Sequence, residues 1–115
     1  MPTTPGGNHM GTAAYVQENE FDGLLSDETI VVVDCTASWC GPCRKIAPLI
    51  DQLAEEYDGR AKVVKLDLDQ NRAIATKYSV RSIPAVMIFK NGELVENLVG
   101  VAPYETFTNA LEKHL

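Results

Sequence analysis

The chain has 115 residues, 45% of them hydrophobic, and no apolar run long enough to cross a bilayer, which bounds it to one compact domain and excludes a membrane span. Its formal charge is −6: residues 1 to 39 hold six acids and no base, while residues 40 to 115 hold ten of each. The acidic third reads as a solvated face, and without a basic stripe nucleic acid is not an expected partner.

Residues 1–13 are rich in Pro, Gly, Thr and Asn and lack periodicity, so they predict a flexible extension, with the domain proper running from 14 to 115. Ala14 to Gln17 suits a short edge strand. Asn19 is an expected N-cap for a helix that buries Phe21, Leu24 and Leu25. Thr29 to Thr36 is a β-branched run, fit for a central strand covered on both faces, with Asp34 inside it. From Cys43 onward, Ile46, Ala47, Ile50, Leu53, Ala54 and Tyr57 recur at steps of three and four, predicting a helix that passes Pro48 with a bend and ends near Asp58-Gly59.

Ala61 to Leu68 is the next strand, and Asp69 to Ser79 a shorter helix marked by Ala73, Ile74 and Tyr78. Ala85 to Lys90 and Glu93 to Val99 flank Asn91-Gly92, a two-residue hairpin signal because both turn positions need positive φ. Pro103 to Leu115 closes the chain as a helix, with Phe107, Ala110, Leu111 and Leu115 facing inward. The fold class expected is α/β: a mixed sheet of about five strands with about four helices on its two faces.

The chemistry lies in Trp39-Cys40-Gly41-Pro42-Cys43, between the central strand and the long helix. Two cysteines at this spacing can close a small disulfide ring. The unpaired N–H groups and positive dipole end of the helix favour a thiolate on the first sulfur. Cys40 is therefore the candidate nucleophile and Cys43 the shielded resolving thiol of a thiol–disulfide exchange. The plainer readings are a structural disulfide or a zinc knuckle, but zinc needs four ligands, and Cys35, His9 and His114 are poorly placed to complete a set. An acid inside an apolar strand costs several kcal/mol if ionised and unpaired, so Asp34 is better explained by function than by stability.

With its flanks and several distant segments, this pentapeptide resembles the thioredoxin family over Ala14 to Leu115. The resemblance implies a thioredoxin fold and a protein disulfide reductase, with Gly41-Pro42 marking a reducing couple. It implies that Asp34 sits beneath Cys43 and takes its proton, and that Lys65 stands beside Asp34. It matches Ser82-Ile83-Pro84-Ala85 to a cis-proline loop in which Pro84 packs against the disulfide and the Ile83 backbone receives an extended substrate. Trp39, Gly41, Pro42, Ile83, Pro84, Gly100 and Val101 then surround the substrate as an apolar rim. Cys35, Thr36 and Ala85 depart from the residues the family commonly carries there.

The implied partners are disulfide-containing proteins and an NADPH- or ferredoxin-linked reductase, acting on a monomer. No dinucleotide fingerprint is present, so no bound cofactor is expected. One close cysteine pair plus one odd cysteine fits a reducing compartment. The first basic residue is Arg44, so no basic leader stands out, and a cytoplasmic protein is expected; a processed organelle protein would read the same. The rival functions are a disulfide oxidant or isomerase, and a redox-silent binding module on the same fold.

Overall fold

In the computed structural model, which describes residues 13–115, the elements follow in the order β1 (Ala14–Tyr15), α1 (Glu18–Asp27), β2 (Ile30–Thr36), α2 (Gly41–Glu56), β3 (Lys62–Asp67), α3 (Arg72–Lys77), β4 (Ala85–Lys90), β5 (Glu93–Val99) and α4 (Tyr104–Glu112). The strands form one sheet in the order β1-β3-β2-β4-β5. β2 is its centre, parallel to β3 and antiparallel to β4, and Ile30 to Cys35 are all buried. That is why this stretch, Asp34 apart, reads as a continuous apolar run rather than an alternating one.

Side-chain alternation along β2 sorts the core into two layers. Ile30 and Val32 pack with Ile46, Ile50 and Leu53 of α2 and Phe107 and Leu111 of α4. Val31, Val33 and Cys35 pack on the other face with Phe21 of α1 and Ile74 of α3. Each large aliphatic side chain buried this way contributes about 1.5–3 kcal/mol. By the same parity Asp34 points to the α2 face, and Lys65, two residues beyond Val63, shares that face across the β2–β3 register. The β4–β5 hairpin turns on Asn91 and Gly92, whose φ angles are 52° and 83°.

Several boundaries differ from expectation for local reasons. α1 starts after Gln17 rather than Asn19, because Asn71 caps it from a distance. The Asn71 Oδ1 accepts from the Glu18 N–H at 2.7 Å while its Nδ2 donates to the Gln17 Oε1. The Gln17 N–H in turn donates to the Glu20 carboxylate at 2.8 Å. Asn71 is accordingly buried. Leu24 and Leu25 are only half-buried.

α2 begins at Gly41, two residues before Cys43, runs through Pro48 and stops at Glu56, ahead of Gly59 with its φ of 86°. α3 begins only at Arg72, since the Asp69 N–H bonds the Asp67 carboxylate at 2.9 Å and holds the preceding residues in a turn. Ala73 is exposed. α4 ends at Glu112, which leaves Leu115 46% exposed while His114 turns to Glu96 at 2.8 Å. β1 is two residues long, and Ala13, assigned to the extension by composition, is buried. The rest of that extension, with His9, lies outside the described residues. Among the described residues no helix is long and apolar enough to cross a membrane.

Candidate active site

The two cysteines of the motif sit at the start of α2, with Cys40 as its N-cap. Its Sγ accepts from the Cys43 N–H at 3.2 Å, so the first sulfur occupies the place a capping oxygen would take. Pro42 falls in the first turn, where a missing N–H leaves no intrahelical carbonyl unpaired. The cysteines are joined as a disulfide with their Cα atoms 5.3 Å apart. Each is only 3% exposed, and both pack with Ala37 and Ile83. Accessibility therefore does not separate their roles. Position does: Cys40 faces the helix dipole, which stabilises a thiolate there, whereas Cys43 lines a partly open cavity.

That cavity, about 190 Å³, lies between β2, β3 and α2 and is bordered by Asp34, Cys43, Ala47 and Lys65. Asp34 is 2% exposed and its Oδ1 has no hydrogen-bond partner. Burial pushes its carboxyl up to about 6, against a downward pull from Lys65 and a further push from Asp51. Lys65 is the in-register neighbour of Asp34, but its ammonium pairs with Asp51 of α2 at 3.3 Å. Asp51 is partly exposed and retains more hydration, so pairing there costs less desolvation than pairing at the buried Asp34. The cavity that Asp34 and Cys43 both border has room for water.

Around the disulfide mouth, the Ile83–Pro84 peptide is cis, Pro84 is buried, and its carbonyl accepts from the Gly100 N–H at 2.9 Å. Gly100 has a φ of 97°, a backbone state that side-chain-bearing residues rarely adopt. Trp39 and Val101 are 67% and 54% exposed, Gly41 and Pro42 are exposed, and Ile83 is half-buried. Trp39 and Val101 together leave apolar surface open to solvent. The Trp39 ring is held by a 2.8 Å hydrogen bond from Nε1 to the Asp69 carboxylate.

Sequence reasoning missed Asp51 and Asp69. Asp69 had one usable signal, its place just beyond the carboxyl end of a parallel strand, where sites of α/β folds gather. Asp51 had none.

Cys35 is wholly buried on the opposite face of the sheet from the disulfide, and burial, then the nearby Asp34 charge, pushes its thiol up to about 12. In the oxidised native protein it should resist alkylation and become titratable by a thiol reagent only in denaturant. Rapid labelling of the folded protein would contradict this placement.

Among the described residues no group of three or more His, Cys, Asp or Glu is placed to hold a metal ion. A family profile described as Thioredoxin matches residues 12–113. The chain is 46% identical over 107 residues to Thioredoxin 1 of Nostoc sp., covering 92% of this chain and 100% of that one. It is 51% identical over 92 residues to the chloroplastic Thioredoxin M-type of Spinacia oleracea, covering 80% of this chain and 51% of that one. Among solved structures, a mutant thioredoxin from Halobacterium salinarum has a TM-score of 0.82 at 37% identity, covering 90% of this chain and 91% of its own.

Proposed function

This chain belongs to the thioredoxin family and is a protein-disulfide reductase, and from that premise we propose that Cys40 attacks, Cys43 resolves, and Asp34 holds the Cys43 proton. The observation that carries the assignment is the asymmetry of the pair: one sulfur caps the helix, while the other borders the cavity of a buried carboxyl.

In the dithiol form the Cys40 thiolate attacks one sulfur of a substrate disulfide. The substrate S–S bond breaks, the released sulfur takes a proton from solvent, and a Cys40–substrate disulfide remains. Cys43 then gives its proton to Asp34, directly or through water, and its sulfur attacks the Cys40 sulfur. The bond to the substrate breaks, the second substrate sulfur leaves as a thiolate that takes a proton from solvent, and Asp34 releases the Cys43 proton to solvent. Two electrons have passed to the substrate, and the protein holds the Cys40–Cys43 disulfide. A flavoprotein or ferredoxin-linked reductase returns two electrons and completes the cycle.

The rim of Trp39, Gly41, Pro42, Ile83, Pro84, Gly100 and Val101 receives the substrate as an extended segment beside Pro84. The proposed working form is a monomer. A disulfide reductase works in a reducing compartment, so the cytoplasm or the interior of an organelle is the proposed location.

Turbidity of insulin with dithiothreitol as donor tests the activity: the chain should accelerate precipitation at micromolar concentration. No acceleration would leave a redox-silent module as the better reading. The equilibrium potential of the couple, measured against glutathione, separates reductase from oxidant: about −270 mV for a reductase and about −120 mV for a strong oxidant.

A further inference from the structure

The Asp51 carboxylate is the meeting point of two donors. Its Oδ1 accepts from the Lys65 ammonium at 3.3 Å and from the Ala13 N–H at 3.1 Å. Lys65 is the direct cross-strand neighbour of Asp34 and borders the same cavity, so without a competing acceptor it is the cation within reach of the Asp34 oxygen that has no partner. We infer that Asp51 is a positioning residue for the exchange reaction: by holding the Lys65 ammonium at α2, it keeps that charge out of contact with Asp34 and leaves the Asp34 carboxyl free to take the Cys43 proton. This rests on the assignment of Asp34 as the proton holder.

The charged and titratable groups around Asp34 are Lys65 and Asp67 from β3, Asp51, Cys43 and Arg44 from α2, and Tyr15 from β1. From β4 the cross-strand neighbour is Val86, which carries no charge. Cys35, next to Asp34 in the chain, packs on the other face. Only Lys65 lowers the Asp34 pKa and only Asp51, besides burial, raises it. A base ion-paired to an ammonium would stay ionised far below neutrality and bind a thiol proton weakly; one held away from it titrates close to working pH.

The test is the titration of the Asp34 carboxyl carbon by NMR in the oxidised protein, set beside the pH profile of substrate release from a preformed Cys40 mixed disulfide. Asp51→Asn should lower the Asp34 midpoint from about 6 to about 5 as Lys65 turns inward. Asp51→Ser removes the same charge and serves if the asparagine variant folds poorly. In a Lys65→Met background, which by itself raises the midpoint, the Asp51 substitution should have less than half its effect. An unmoved midpoint, or equal shifts in both backgrounds, would overturn the positioning role. A midpoint that moves while the release profile stays fixed would overturn the assignment of Asp34 instead, and leave the placement of Lys65 by Asp51 standing.

Discussion

Cys40→Ser should abolish disulfide reduction outright, while Cys43→Ser should retain a single attack and accumulate covalent adducts with its targets. The difference follows from order in the reaction. A serine hydroxyl at the helix N-cap is a negligible nucleophile towards a disulfide at neutral pH, so no first bond forms. With Cys43 replaced, the Cys40 thiolate still enters the substrate disulfide, but no second thiol stands behind it to displace the product. Non-reducing electrophoresis after incubation with a disulfide-containing protein should show an adduct for Cys43→Ser alone, dissolved by dithiothreitol. An adduct formed by Cys40→Ser instead would reverse the two roles, and with them the meaning of the Cys43 cavity.

Asp34→Ala should be more stable than the parent protein at pH 7 and slower by about a hundredfold in resolving the mixed disulfide. The folded carboxyl titrates near 6 against an ordinary value of 3.8, a difference worth about 3 kcal/mol. The sign follows from linkage. Below the unfolded value both states carry the neutral acid and nothing is lost; as pH rises the unfolded chain ionises first, and the folded state falls behind until pH passes its own pKa. The parent should therefore lose stability between about pH 4 and 6, and the variant should not, apart from the titration both share. Urea midpoints at pH 4 and 7 read this directly. Equal pH slopes for the two proteins, with equal rates of resolution, would mean that Asp34 is a satisfied structural acid with no part in proton transfer.

Much of this was legible because local chemistry determined it. Asn91-Gly92 announced the hairpin through the φ values both positions need, and the cysteine pair stood where a strand gives way to a helix. Asp34 stood out because an acid in a β-branched run has no apolar reason to be there. What could not be read were contacts between residues far apart in the chain. Asn71 supplies an N-terminal cap to a helix that begins more than fifty residues earlier, so the local signal at Asn19 lost to a tertiary one. Asp51 looks like any solvent-facing acid of an amphipathic helix, and its hold on Lys65 exists only once α2 has packed against β3. Leu115 fitted the apolar period but lies past the point where α4 stops.

Alternation along β2 turns Cys35 and Asp34 to opposite faces, so the odd thiol packs with α1 and α3 while Asp34 borders the cavity that Cys43 lines. Three cysteines allow three covalent isomers of a single disulfide. In the folded molecule Cys40–Cys43 is the one expected, since Cys35 is fully buried among apolar side chains and its thiol resists ionisation. Repeated oxidation and reduction then returns the chain to the same connectivity each time, with no need for an isomerase to sort it.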